Sequence, residues 1–86
     1  MPRLSAFYGI VIYMYWRGHA PPHFHAEYGD HEALIVIDDG PVFAGSLPPR
    51  ALRMVREWRQ LHVEELQRAW QRASRRENPG TIKPLP

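Results

Sequence analysis

The chain has 86 residues, of which 44% are hydrophobic and 23% charged, a balance that places it with folded globular proteins rather than disordered ones. A chain this short buries only about 60% of the surface its unfolded form exposes, so a partner or a second copy would add needed burial. It contains no cysteine, which excludes disulfide frameworks, thiolate metal sites and cysteine nucleophiles together. The formal net charge is only +2, yet Lys83 is the single lysine among eleven basic residues, and eight of the arginines lie between Arg50 and Arg76. Arginine reads phosphate and carboxylate bidentately, so the basic C-terminal half raises nucleic acid or an acidic protein as a partner.

In chain order, residues 7–16 are rich in β-branched and aromatic side chains at both parities, which predicts a first strand buried on both faces. Gly18 to Pro22 interrupts it, because Pro21 and Pro22 cannot donate ladder hydrogen bonds and Pro21 forces Ala20 extended. Residues 23–28 alternate: Phe24, Ala26 and Tyr28 fall on one face, and His23, His25 and Glu27 form an outward row on the other. Gly29-Asp30 reads as a tight turn into a third strand at 32–38, and Asp38-Asp39-Gly40-Pro41 as a second turn into a short fourth strand at 42–45.

Pro48 and Pro49 then open a helix predicted to run unbroken over 48–76. Ala51, Val55, Trp58, His62, Leu66, Ala69 and Ala73 lie on one stripe, supported by Leu52, Leu61 and Trp70. His62 on this stripe reads as a satisfied core histidine. Asn78-Pro79-Gly80 ends the helix, leaving an extended tail over 79–86 with Ile82 and Leu85 as anchors. The expected fold is a single α+β domain, a three- to four-stranded antiparallel meander covered on one face by the long helix. A helix of about 28 residues spans roughly 42 Å against about 20 Å for a strand, so part of it should overhang and favour a homodimer or another chain.

Four of the five histidines fall between positions 19 and 31. A His-x-His step on a strand places both imidazoles on one face, about 6 to 7 Å apart at the backbone, which suits joint acid-base work or joint metal ligation. In a metal-free reading His23 and His25 act as general base and acid on RNA, whose 2′-hydroxyl is the nucleophile, with Arg17 steadying the phosphate. In a metal reading His23, His25 and either His19 or Glu27 hold zinc or another divalent cation, leaving a position for water. The third reading is non-catalytic: His19, Glu27, Arg53 and Arg56 contribute to binding, and the histidines are hydrogen-bonded surface or interface residues. Tyr8, Tyr13, Tyr15 and Trp16 serve either as core packing or as a stacking surface for single-stranded RNA. No stretch is long and apolar enough for a membrane span and no leader pattern is visible, so a cytoplasmic location without membrane association is the expectation.

Three segments carry a family resemblance: Phe-Tyr-Gly-Ile-Val-Ile at 7–12, Pro-Pro-His-Phe-His-Ala-Glu-Tyr-Gly at 21–29 and Arg-Ala-Leu-Arg-Met-Val-Arg-Glu-Trp at 50–58. With the Ile-x-Pro-Leu tail at Ile82 to Leu85, they resemble the bacterial family called domain of unknown function 4160. The resemblance implies a small bacterial protein of unsettled activity, often encoded beside a short protein of the family numbered 2442 in an arrangement like toxin and antitoxin pairs. Its implied partner is that cognate small protein. Tyr13 and Trp16-Arg17-Gly18 depart from the polar residues such a protein would carry there, without touching the three segments.

Overall fold

A computed structural model of the chain describes residues 2–16, 21–38 and 40–86. Five strands form one antiparallel sheet in chain order: β1 (Arg3–Phe7), β2 (Ile10–Tyr13), β3 (His23–Tyr28), β4 (His31–Val36) and β5 (Val42–Gly45). Two helices follow, α1 (Pro49–Leu61) and α2 (Val63–Ser74), so the α+β class holds while both element counts change.

The strand count is five rather than three or four because an unexpected strand, β1, precedes the expected first strand, whose span of 7–16 contracts to β2 at Ile10–Tyr13. Phe7 pairs with Ile10 across a two-residue turn in which Tyr8 and Gly9 both take positive φ, 50° and 81°. That geometry matches the twist of the flanking strands and normally selects Asn-Gly, so a tyrosine in the first position conceals the turn. Separating β1 from β2 also replaces the expected burial on both faces: Ile10 and Ile12 are fully buried, whereas Val11 and Tyr13 are half-buried.

Register assigns the faces. Ile12, Ala26 and Ala33 are cross-strand partners, as are Phe24 and Ile35, and these residues form the inward side with Phe7, Ile10 and Ile37. Trp58 of α1 closes this side, its ring 5.6 Å from both Phe7 and Phe24. Leu66 and Ala69 of α2 complete the core. The inward apolar residues account for most of the hydrophobic stabilisation, at about 25 cal/mol per Å² removed from water.

The helix is two helices because the chain breaks at His62, whose φ of −129° and ψ of 26° leave the helical region. The amide of His62 bonds to the carbonyl of Arg59, and Leu66 N–H donates to the carbonyl of His62, so one helix tightens to its end as the next begins. A straight helix of about 42 Å would outrun the molecule, whose longest principal extent is 33 Å. The break at His62 redirects the chain, and Leu66 and Ala69 of α2 lie in the core. Of the expected stripe, Ala51, Val55, Trp58, Leu66 and Ala69 are buried, His62 and Ala73 are half-buried, and Leu61 is 59% exposed.

Helix α2 ends at Ser74 in a paired-hydrogen-bond cap: Glu77 N–H donates to the Arg72 carbonyl and Arg76 N–H to that of Ala73. Arg76 occupies the left-handed position, φ 61°, that such caps usually give to glycine. The tail then returns to the sheet, where Ile82 N–H donates to the Leu4 carbonyl at 2.7 Å and Trp58 Nε1 donates to the Lys83 carbonyl at 2.8 Å. Ile82 is buried and Leu85 packs against the core. No helix among the described residues is long and apolar enough to cross a membrane.

Candidate functional site

Strand β3 presents His23, His25 and Glu27 on the outward side, away from Phe24 and Ala26, as alternation requires. The row is not open, however: His23 is 1% and His25 5% exposed. Tyr15, beyond the end of β2, folds over His25 with ring centroids 4.2 Å apart and nearly parallel planes, and its hydroxyl lies 3.3 Å from His25 Nδ1. Glu32 of β4 stands 3.7 Å from the same nitrogen.

His23 is enclosed by aromatic rings. Its centroid lies 5.1 Å from Phe43 of β5, 5.2 Å from Trp70 of α2 and 5.2 Å from His25. His23 Nδ1 is 2.8 Å from the Pro21 carbonyl, and since a carbonyl can only accept, this nitrogen donates there. The double proline thus supplies the bond that fixes the ring: Pro22 continues the pairing by accepting from Ile37 N–H, and Pro21 holds the histidine. His62, outside the cluster, is half-buried at the helix junction; its ring lies tilted 5.6 Å from that of Trp58, and its Nδ1 meets Glu65 Oε1 at 2.7 Å.

The structure therefore joins His23 and His25, packs them, and leaves Glu27 further along the row, paired laterally with Val11 and Glu32. Among the described residues no group of three His, Cys, Asp or Glu side chains is placed to hold a metal, so His23, His25 and Glu27 do not form a ligand set. Arg17 and His19, the expected phosphate-steadying and third-ligand residues, lie outside the described residues.

The arginines divide. Arg59 is buried, and its Nη1 donates to the carbonyls of Val36 and Gly40 at 3.0 and 2.8 Å, tying α1 to the end of β4. Nothing in the sequence separates it from its neighbours except its place beside Trp58 on the inward turn of the helix. Arg50, Arg53 and Arg56, at spacings of three, stay exposed on one stripe with Gln60. Among the described residues these three arginines enter no ion pair. Arg53, Arg56, Glu57, Arg59, Gln60 and Val63 line a shallow groove of about 480 Å³ along α1, so one carboxylate stands among its cations. Of the stacking candidates, Tyr8 and Trp16 are exposed, and Tyr15 is occupied by His25.

Residues 9–71 match the family described as domain of unknown function 4160. The chain belongs to this family. The matched span includes the whole Pro-Pro-His-Phe-His block and the Arg50 to Trp58 segment of α1, so the packed histidines and the exposed arginine stripe both fall inside what the family shares with this chain. No curated protein and no solved structure matches the chain.

Proposed function

We propose that this DUF4160 protein is a non-catalytic binding module, the antitoxin or regulator side of a two-protein system, whose helix α1 contacts the phosphate backbone of RNA through Arg50, Arg53 and Arg56. The observation that carries this reading is the contrast between a closed histidine pair and an exposed arginine stripe that enters no ion pair among the described residues. General acid-base catalysis requires the groups within hydrogen-bond reach of substrate. His23 and His25 instead spend their surfaces on Tyr15, Phe43, Trp70 and the Pro21 carbonyl.

Arginines at three-residue spacing on an exposed helix face can reach successive phosphates, and each neutralised phosphate releases condensed counterions. The test is titration of a labelled single-stranded RNA at several salt concentrations. Wild type should show a linear fall of log affinity with log salt, and Arg53→Gln with Arg56→Gln should flatten the slope by about 1.4, or about 0.7 per lost contact. The same assay should show the RNA intact after incubation. Cleavage abolished by His23→Ala or His25→Ala would restore the catalytic reading, and an unchanged salt slope in the arginine variant would end this one.

A further inference from the structure

Three shallow clefts on the helix layer join end to end, because each shares wall residues with the next. The groove along α1, walled by Arg53, Arg56 and Glu57, has Gln60 and Val63 in common with a cleft of about 410 Å³ at the helix junction. That second cleft has Glu65 and Arg68 in common with a third, of about 210 Å³, between α2 and the returning tail. His62 lines the second cleft, so the break between the helices lies at the middle of one continuous groove.

The available basic residues of the groove fall at its two ends. Arg53 and Arg56 stand at the α1 end; Arg68 and Arg72, four apart and therefore on one face of α2, stand at the other with Thr81. All four arginines are exposed, whereas Arg59 on the α1 wall is committed to the carbonyls of Val36 and Gly40. The tail places Arg72: a Cβ at Gly80 would lie 3.7 Å from its Nη1, so the guanidinium rests against the backbone that returns to β1. The middle of the groove differs. There Leu61 is 59% exposed, Val63 is half-buried, Glu64 is exposed, and Glu65 is engaged by His62 Nδ1. Glu57 and Glu64 repel a phosphate, while Leu61 and Val63 offer apolar contact to a base.

We infer that the groove is a single path for one RNA strand, with phosphates held by Arg53 and Arg56 at one end and by Arg68 and Arg72 at the other. Between them the bases cross the helix break over Leu61 and Val63. The inference rests on the RNA reading of α1 and adds to it a second clamp and a minimum strand length. From Arg56 to Arg68 the helical rise is at most about 18 Å, so an RNA too short to bridge that gap engages one clamp at a time. A strand that bridges it meets the second clamp intramolecularly, which raises affinity without a new kind of contact. The path ends at Thr81; the cleft beyond, walled by Arg3, Arg76 and Glu77, is not needed to complete it.

The test uses the full chain and fluorescence-labelled oligouridylates of about three and about ten nucleotides, the longer within the site sizes of single-strand grooves. At equal salt the longer strand should bind at least about tenfold tighter. Arg68→Gln with Arg72→Gln should remove that gain, flatten the salt slope of the longer strand by about 1.4, and change the short strand by no more than about twofold. Arg68→Lys with Arg72→Lys, which keeps the charge, should retain most of the slope. Arg75→Gln, exposed at the end of the same helix but outside the groove, should retain the length gain. An undiminished gain in the Arg68 and Arg72 glutamine variant would overturn the inference, and the α1 reading would survive it if Arg53→Gln with Arg56→Gln still flattened the slope. If neither RNA bound, or neither glutamine pair changed the slope, both readings would fall. Equal affinity of wild type for the two strands, or an oligoglutamate peptide bound as tightly as the longer RNA, would also overturn it.

Discussion

The two sides of strand β3 are both buried, and by different means. Inward, Phe24 and Ala26 are covered by residues far along the chain, with Trp58 of α1 at their centre. Outward, His25 lies under Tyr15, a near neighbour in sequence, and His23 between the Pro21 carbonyl, Phe43 and a residue from far along the chain, Trp70. The inward side is a shape-matched apolar core. The outward side is a polar-aromatic stack whose polar atoms are held by individual bonds. The difference teaches that a strand's alternation fixes which way a histidine points without fixing whether water reaches it.

Substitutions should expose the contrast, beginning with the inward side. Phe24→Ala removes a ring packed edge-on against Trp58 and should cost about 3–5 kcal/mol in urea unfolding. For an 86-residue chain that is a large part of the whole, since total stabilities are about 5–15 kcal/mol. A loss under about 1 kcal/mol would show that the helices do not close this face as tightly as the ring contacts require.

The next effect belongs to the tie between helix and sheet. Arg59→Met keeps much of the aliphatic stem but leaves the carbonyls of Val36 and Gly40 without their charged donor. It should cost about 2–3 kcal/mol. Arg56→Met, one turn away and exposed, should stay within about 0.5 kcal/mol. If the two arginines proved equally dispensable, the division between structural and available arginines would fail.

On the outward side, His25→Ala should cost about 1–3 kcal/mol from lost stacking on Tyr15 and the lost polar contact. RNA affinity, read by the same titration as for the arginine variants, should not change. A drop in affinity with stability retained would move function from α1 to the histidines.

Several features are legible in the residues alone. The Gly29-Asp30 turn, the strand at 42–45, the inward and outward residues of β3 and the tail anchor Ile82 follow from turn chemistry and from a period of two. The β1–β2 hairpin is hidden because Gly9 sits within an apolar run and Tyr8 is an uncommon residue for a left-handed turn position. The break at His62 has no proline or glycine to announce it, and only the fold shows Leu66 and Ala69 in the core beyond it. Burial of the histidines depends on where Tyr15, Phe43 and Trp70 arrive, which no local pattern encodes. Arg59 is one arginine among eight by sequence, and only packing beside Trp58 sets it apart.

The smallest effect tests whether the helix layer can be altered without disturbing either side of β3. Arg76 holds a left-handed conformation, φ 61°, at the cap of α2, where an L side chain costs about 1 kcal/mol relative to glycine. Arg76→Gly keeps both backbone bonds of the cap, Glu77 N–H to Arg72 and Arg76 N–H to Ala73. It gives back part of the gain by loosening the unfolded chain. The net should be a stabilisation of about 0.5 kcal/mol, seen as a higher urea midpoint with unchanged slope. Because Arg76 lies outside the 50–56 stripe, RNA affinity should fall no further than the loss of one distant charge allows. A destabilised Arg76→Gly would mean that its side chain holds the returning tail, and with it the Ile82 bond to β1, in place.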